Sequence, residues 1–544
     1  MRTSERDIIH TMPLLRYAVA FAAGIAMSEV LCHPYTLKNL TAAMLGTIAC
    51  ALLLNRRHER LCSILLLISI FTVGMWRATY DVRSAPQLMP AEHYALRPNE
   101  MLTRSTLCAM GEPSIHGGIS TLEAVVVSSD SGNANIRSAI NGQKIRVNIM
   151  REGNEDFLDS IRAGSNLDVV MLLRPLSSLG KNKKFDYSRW LRSHGFVCSA
   201  FVRTCHTSHK IADMTAVAWK IKLCITARKI RDKAAACLRH ASIEGDAFAI
   251  ASAMALGDKN KISSDIREEY SAAGVAHILA LSGMHLTIVI SVLMVIFRRR
   301  NLLTSICLIA LIWCYVVITG MSLSVVRAAC MLTIWELLRN IQREQNSLNV
   351  LGGAMLLMLA FSPDSLWDIG FQLSYAAVLG ILIFTPHMDM LLPHAIRDKW
   401  YGNINIPWHI RILQGIWGLC AVSISAQAAT APLAAYYFGS LPLYFLLANM
   451  IVVPAALFIV PMSLLTITVS AASLGITGIL HLPAIVCGKV LAFVISIQNN
   501  LMHLISSLPA ASIPADITLI QVCAVYVILI TIAVYLGKKS KTWE

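Results

Sequence analysis

The chain of 544 residues is 56% hydrophobic and only 15% charged, whereas a soluble domain carries about 25% charged residues. This composition excludes an ordinary soluble enzyme and a disordered protein. The formal net charge is +15, and in a membrane protein part of such an excess reflects the accumulation of Lys and Arg on the cytoplasmic side.

Apolar segments that are long enough, or nearly long enough, to cross a bilayer recur along the chain and predict a polytopic α-helical membrane protein with about twelve membrane helices. The first is predicted to be an uncleaved helix, because its small-x-small pairs lie inside the apolar run. The segments are 13–32, 38–54, 61–77, 277–297, 302–320, 322–338, 347–361, 365–386, 412–436, 442–470, 479–505 and 516–536.

Basic clusters between these segments predict the orientation in the membrane. All five fall on the cytoplasmic side if the N-terminus is cytoplasmic, and twelve crossings then also leave the C-terminus there. The long polar stretch 78–275 follows three crossings and is therefore predicted to be external. The clusters are Arg56, Arg57 and Arg60; Arg298 to Arg300; Arg339 and Arg343; Arg397, Lys399 and Arg411; and Lys538, Lys539 and Lys541.

The external stretch contains short runs that are typical of β-strands. The dipeptide Asn141-Gly142 favours a type I′ turn and therefore a hairpin. Five short strands in so short a stretch predict a small closed barrel of the OB kind, because closure removes exposed strand edges. The predicted strands are Thr121–Ser128, Ile136–Ile140, Gln143–Met150, Leu167–Leu173 and Phe196–Val202.

An amphipathic helix is predicted over Ala216–His240, where Val217, Ile221, Ile225 and Ile230 recur near helical spacing with Lys and Arg between them. The pattern is typical of a helix that lies on a membrane surface. An ordinary surface helix of the external domain has the same pattern, so the sequence leaves both interpretations open.

The external stretch is also strongly basic, which the preference for cytoplasmic Lys and Arg does not explain. From Arg174 to Arg239 there are 15 basic and three acidic residues, a net charge of +12. Such a surface fits an anionic partner, and OB barrels bind single strands with basic grooves and aromatic platforms. The alternative is that the aromatic residues belong to the core and the cations to a solvated face. The predicted DNA-binding residues are Lys183, Lys184, Tyr187, Arg189, Trp190 and Arg192.

Polar side chains interrupt several of the apolar segments, and such residues usually face a cavity or a pathway. Arg327 and Asp368 are predicted at similar depth and could pair, although each could instead reach water alone. Pro432, Pro442 and Pro454 are predicted to break helices. The spacing fits no metal site, and no metal or cofactor is predicted. We predict one polar cavity that contains His277, Ser282, His285, Arg327, Asp368 and Gln372.

The stretch ALGDKNKI, followed by REEYSAAGVAHILALSGMHLTIV, resembles the signature of the ComEC family, the inner-membrane channel of bacterial competence. The stretches around Arg327, Asp368 to Ser374, and Thr430 to Pro454 resemble its other blocks in the same order, and Phe185–Phe196 resembles the end of its external OB-like domain. The similarity covers about residues 20 to 510. It implies passage of single-stranded DNA through the cell membrane, with other competence proteins as partners, and it leaves a homodimer open.

Many ComEC proteins continue into a metallo-β-lactamase-like domain with an H-x-H-x-D-H cluster, and no such cluster occurs in this sequence. The chain is therefore not expected to be an enzyme, and a separate nuclease or helicase would process the duplex. No Walker-type motif is present either, so the motive force is expected from elsewhere.

The resemblance and the composition together divide the chain into four predicted parts. They are N-terminal membrane helices at 1–77, an external OB-like domain at 78–210, amphipathic or interfacial helices at 211–275 and a channel domain at 276–544. The alternative function is a transporter or membrane scaffold for another anionic solute, although such a protein would not need a basic, aromatic external domain. Cys108, Cys198 and Cys205 lie in the external domain, and a disulfide among them stays open.

Overall fold

The computed structural model describes residues 12–31, 37–54, 59–84, 88–89, 101–116, 118–131, 133–152, 155–179, 184–207, 217–297, 301–341, 346–388, 392, 407–475 and 481–540. The chain forms two compact units, which we call the first and the second unit. The first unit comprises Met1–Lys233, Ile309–Ser322 and Ala329–Asp368, and the second comprises Ala234–Leu308, Leu323–Ala328 and Ile369–Glu544.

Within these described ranges the structure is mostly helical. In chain order the helices are α1 (Pro13–Leu31), α2 (Leu37–Leu54), α3 (Glu59–Ser84), α4 (Ala134–Ile140), α5 (Glu155–Ser160), α6 (Tyr187–Ser193), α7 (Trp219–His240), α8 (Gly245–Leu256), α9 (Ser264–Ala272), α10 (Ala276–Leu279), α11 (Gly283–Ile296), α12 (Leu302–Ile318), α13 (Leu323–Asn340), α14 (Ser347–Phe361), α15 (Ile369–Met388), α16 (Trp408–Phe438), α17 (Phe445–Gly475), α18 (His481–Ser506) and α19 (Leu519–Ser540). The strands are β1 (Leu102–Ala109), β2 (Ser114–His116), β3 (Ile119–Asp130), β4 (Lys144–Met150), β5 (Asn166–Pro175), β6 (Phe196–Thr207), β7 (Ser440–Pro442) and β8 (Ser512–Pro514).

Among the described residues, seven helices are long and apolar enough to cross a membrane, namely α1, α3, α15, α16, α17, α18 and α19. Every predicted membrane segment contains a helix, but α2, α11, α12 and α14 have only shorter apolar stretches. Helix α13 includes three charged residues, Arg327, Glu336 and Arg339. A polytopic helical membrane protein is thus confirmed, whereas the predicted count of twelve membrane helices is not.

Small residues allow the membrane helices of each unit to pack closely. In the first unit a methyl group at Gly24 of α1 would overlap the backbone of Phe71, and one at Gly74 of α3 would overlap the backbone of Phe21. In the second unit Gly380 of α15 lies equally close to α16. Such contacts let helix backbones approach each other where lipid provides no hydrophobic drive for association.

The predicted breaks at two prolines are wrong. Pro432 lies inside α16 and Pro454 lies inside α17, because the freed backbone groups of membrane helices can find partners in neighbouring segments. Helix α16 instead ends at Gly439, whose φ of 67° is in the left-handed region that favours glycine. Pro442 does lie outside a helix, at the end of β7.

The strands of the first unit form the small closed barrel that the sequence predicts. Strands are paired in the order β1-β5-β6-β4-β3, and pairing of β1 with β3 closes the ring, with β2 added beside β3. The pairs are antiparallel except for the parallel pair β4–β6. The side chains inside this ring form a continuous apolar core, in which Leu107, Val147, Val169 and Ala200 are fully or almost fully buried.

The strand predictions missed β1 for a physical reason. Its inward positions include Thr103 and Ser105, which are 2% and 3% exposed. Because polar residues occupy the buried face, the alternation of apolar and polar side chains that marks a strand is absent there.

The predicted hairpin around Asn141-Gly142 is also wrong. Residues Ala134–Ile140 form helix α4 instead of a strand, and the Asn133 side chain caps it by accepting a hydrogen bond from the Asn135 N–H at 2.9 Å. Ile136 and Ile140 are four residues apart and both buried, which is helical spacing. The turn itself is not type I′, because Gly142 has φ of 72° but Asn141 has φ of −63°.

Helix α7 presents different faces to the barrel and to the outside. Val217, just before the helix, and Ile225 are buried against barrel residues such as Val125, which is the packing of a surface helix of the external domain. Leu223 and Ile230, in contrast, are exposed. The barrel therefore covers one face, and the prediction of an interfacial helix stays a prediction for the other.

A charged cluster fixes α7 to the barrel. The Glu123 carboxylate on β3 accepts hydrogen bonds from Arg228 of α7 and lies 3.3 Å from the Nζ atom of Lys144 on β4. Burial alone would raise the pKa of Glu123, but the two cations outweigh this effect and lower the pKa to about 2.

Cys108, Cys198 and Cys205 are free thiols in the structure. Cys198 and Cys108 are buried, whereas Cys205 is half-buried. Burial raises the pKa of Cys198 and of Cys205 to about 12, so that neither forms much of the reactive thiolate near neutral pH.

We expect Glu123→Gln to lower the free energy of unfolding of the barrel by about 1–2 kcal/mol at pH 7, since a partly exposed charged pair is screened by solvent. The stabilisation by Glu123 is present above its ordinary pKa of 4.5 and is lost as the pH falls towards 2. The difference between wild type and variant should therefore shrink at pH 3. Pulse proteolysis of the full chain in urea measures both, with thermolysin at pH 7 and pepsin at pH 3.

The matched control is Glu112→Gln, which removes the partner of the more exposed Arg162, 3.6 Å away. This change should cost less than about 0.5 kcal/mol. Equal losses for the two variants would contradict the assignment of Glu123 as the anchor of α7.

Candidate functional site

Helix α11 of the second unit begins inside a predicted membrane segment, because the chain is extended at Ser282. The Ser282 backbone N–H donates to Nδ1 of His285 at 3.1 Å, and the Ser282 hydroxyl lies 2.9 Å from the same atom. Ser282 and His285 are therefore in direct contact, with Ser282 at the N-cap of the helix.

Helix α11 is too short to cross the hydrocarbon core of a bilayer by itself. Its 14 residues span about 21 Å, and the hydrocarbon core is about 30 Å thick. A helix of this length that reaches one surface must begin within the hydrocarbon region. Polar backbone persists at such depth only where protein or a water-filled cavity covers it.

Arg327 of α13 is the buried cation of this site, with only 6% of its surface exposed. Its Nη1 atom donates to the hydroxyl of Ser374 on α15, and that hydroxyl lies 3.1 Å from the hydroxyl of Ser324. The guanidinium also stands over the ring of Tyr375, 5.6 Å from its centroid. Arg327 therefore has a hydroxyl partner in place of the carboxylate that the sequence suggested.

Gly283 brings the Arg327 side chain against the first turn of α11. A Cβ atom at Gly283 would lie 3.4 Å from Nη2 of Arg327 and 3.2 Å from Cβ of Ala328. An added Cβ atom would therefore touch the guanidinium and press on the Ala328 side chain. The site thus combines the start of one helix with a cation from a second and a hydroxyl from a third.

Two nitrogen atoms at this site lack hydrogen-bond partners within the described part of the chain. They are Nε2 of His285, a residue with no exposed surface, and Nε of Arg327. A buried donor without a partner is costly, so both atoms suit a water molecule or a ligand that accepts hydrogen bonds.

The other predicted residues of the cavity are distributed differently. The Gln372 side chain on α15 accepts a hydrogen bond from the Tyr437 hydroxyl at 2.7 Å. His277 on α10 is exposed. Asp368 belongs to the first unit, where its backbone N–H donates to the Ser365 carbonyl at 3.1 Å. The structure therefore brings Ser282, His285 and Arg327 together, and the other three stay predictions.

Sequence reasoning missed Ser374 and Tyr375, although a signal was present. Both follow Gln372 within two or three residues, in the polar block that interrupts an otherwise apolar segment. Serine and tyrosine are common in apolar helices, so their roles emerge only when the partner on another helix is known.

In the first unit, the basic helix α6 contacts a membrane helix instead of forming a free face. Arg189 pairs with Glu29 of α1 and stands 5.1 Å from the ring centroid of Trp367. The Nε atom of Arg192 donates to Asp364 at 2.9 Å. Both predicted DNA-binding arginines thus hold the barrel to the membrane-embedded part of their own unit.

The aromatic residues of this helix contact one another. The rings of Tyr187 and Trp190 are stacked, with centroids 6.0 Å apart. On the same helix end, the centroid of the His194 ring lies 4.3 Å from that of Trp190. The guanidinium of Arg146 is 5.5 Å from both Tyr187 and Trp190. A base could stack on Trp190 only by displacing one of these neighbours.

Of the two lysines in the predicted DNA-binding set, the structure describes only Lys184. Lys183 lies outside the described residues, as do most of the basic loop clusters, including Arg298 to Arg300. Lys184 is half-buried. Nowhere in the described ranges do three or more His, Cys, Asp or Glu side chains form a group that could hold a metal ion.

Comparison with known proteins identifies the family that the chain matches. A family model described as "Competence protein" matches residues 254–540, which include α11, Arg327 and Ser374. Over 212 residues the chain is 26% identical to "ComE operon protein 3" of Bacillus subtilis (strain 168), and the match covers 38% of this chain and 25% of that protein. No solved structure matches the chain.

Proposed function

We propose, because the chain belongs to the competence protein family known as ComEC, that it conducts single-stranded DNA across the cytoplasmic membrane of a bacterium during DNA uptake. One observation carries the proposal. The buried guanidinium of Arg327 lies at the start of a short helix, inside the part of the chain that matches the family. A cation at such a position suits a substrate that carries a phosphate on every nucleotide.

The external barrel would receive the strand before it enters the membrane. Its closed five-stranded form and its parallel pair β4–β6 fit an OB-like barrel. The net charge of +12 between Arg174 and Arg239 supports binding of a polyanion. Since Arg189 and Arg192 pair with carboxylates, we base strand capture on the net positive charge of this surface and not on these two residues.

The proposal also covers placement and partners. We propose that the protein lies in the cell membrane with both termini in the cytoplasm, and that it acts as a channel and not as an enzyme. Other competence proteins, including a separate nuclease or helicase, would supply the strand and the motive force. The family match, together with the similarity to a quarter of the named Bacillus protein, supports other competence components as partners.

Loss of the buried cation should abolish transport without preventing insertion. In a host deleted for the chain, we expect Arg327→Ala to reduce uptake of labelled DNA at least a hundredfold and Arg327→Lys to retain part of it, because Lys keeps the charge but not the planar donor fork. The matched control is Arg339→Ala at the other end of α13, where the Arg339 side chain pairs with Glu336 and is 25% exposed. Normal uptake by Arg327→Ala would contradict the proposal, whereas uptake of another anion but not DNA would favour a transporter of anionic solutes.

Strand capture should be electrostatic. The full chain in nanodiscs of neutral lipid should bind fluorescent single-stranded DNA with little sequence preference, and the affinity should fall steeply with salt because neutralised phosphates release counterions. Lys184→Ala should reduce the slope of log affinity against log salt concentration by about one. Fluorescence anisotropy measures both quantities. Absent binding at low salt, or binding that salt does not affect, would argue against capture by this domain.

A further inference from the structure

We infer that the start of α11, together with Arg327 and His285, forms a binding site for a single phosphate group. The inference rests on the proposed function, since the phosphate would be one of the strand in transit. It goes further in assigning the atoms that bind the phosphate.

The guanidinium supplies the charge. Arg327 is 6% exposed, and among the residues that the structure describes no carboxylate forms an ion pair with it. Ser374 accepts only one of its five N–H groups, and the Nε atom has no partner. A buried cation with unused donors is stabilised by an anion that accepts two of them at once, as phosphate does.

His285 supplies a second donor, and its tautomer follows from its hydrogen bond. The backbone N–H of Ser282 can only donate, so the Nδ1 atom that it meets must be the acceptor. In a neutral imidazole the proton then sits on Nε2. That atom is buried and has no partner within the described ranges. The ring therefore presents an N–H group that water or a ligand with an acceptor oxygen, such as a phosphate, would satisfy.

Helix α11 supplies the third contribution. The first backbone N–H groups of a helix have no partner inside it, and the helix dipole places partial positive charge at the same end. Gly283 lets Nη2 of Arg327 approach this end closely. A cation at the positive end of a helix dipole is unfavourable by itself. An anion bound between the guanidinium and the helix end is attracted by both.

The same geometry explains why the site would hold a phosphate without trapping it. Among the described residues, the side chains that interact with the Arg327 guanidinium are neutral, namely the Ser374 hydroxyl and the Tyr375 ring. One cation with neutral neighbours binds an anion less tightly than a cluster of cations does. Conduction requires binding that is strong enough to admit each charge and weak enough to release it.

The test uses the full chain in neutral detergent and inorganic phosphate as the probe. Thermal unfolding is followed at constant ionic strength while phosphate replaces chloride. We expect phosphate to raise the Tm of wild type and of the control Arg339→Gln equally, because a ligand of the folded state stabilises it. In Arg327→Gln the apparent affinity should be at least tenfold weaker, and Arg327→Lys, which keeps the charge, should be intermediate.

Two results would overturn the site. One is a phosphate-dependent rise in Tm that is the same in Arg327→Gln as in wild type. The other is an equal loss of that rise in Arg339→Gln, which would indicate binding to surface charge in general. If Arg327→Gln fails to fold, Arg327→Lys serves as the test variant. An unchanged phosphate affinity of Arg327→Lys would contradict a site that depends on the planar guanidinium of arginine.

Uptake measurements on the same variants separate this inference from the proposed function. Lost phosphate binding with normal DNA uptake would support the site but assign it to another phosphate, such as a lipid headgroup, and would contradict the DNA path. Lost uptake in Arg327→Gln without any phosphate binding by wild type would support the DNA path and overturn the phosphate site.

Discussion

Burial of one guanidinium among apolar helices is the constraint around which the second unit is organised. Arginine stays charged at any physiological pH, so the protein cannot neutralise Arg327 and must provide for its donors. Three neighbouring features serve this end: the hydroxyl of Ser374, the ring of Tyr375 and the absent side chain at Gly283. They come from α15 and α11, so the charge of one residue fixes how three helices meet.

Helix α11 is short for the same reason. A continuous helix through residues 277–297 would direct its backbone N–H groups into its own hydrogen bonds, and none would be available to a ligand. The extended residue Ser282 interrupts it and creates a helix end within the protein. His285 then stabilises this end by accepting the Ser282 N–H. The interruption is hard to predict from the sequence, because LALSGMHL differs from an ordinary membrane helix by only a few polar residues.

The sequence predicts the membrane class, the closed barrel and the positions of most helices, because hydrophobicity and strand patterns are local properties. It fails where a local signal has two interpretations. Residues Ile136–Ile140 suit a strand by composition, but the cap at Asn133 decides for a helix. In the sequence alone, Arg189 and Arg192 resemble a DNA-binding pair. Their carboxylate partners are distant in the chain and are identified only by the structure. Similarly, nothing near Arg327 in the sequence identifies Ser374 as its partner.

The order of strands around the barrel has a consequence for biosynthesis. Strand β6 lies between β4 and β5, so the ring stays open with two unpaired edges until the last strand has been made. Strand β1 must also pair with β5, and the paired residues lie 58 to 70 positions apart in the chain. Pairing over such a distance is slow. The barrel therefore completes its fold only after Thr207 at the end of β6 has been synthesised. The helices that follow in the chain, from α7 onward, are made only after that point.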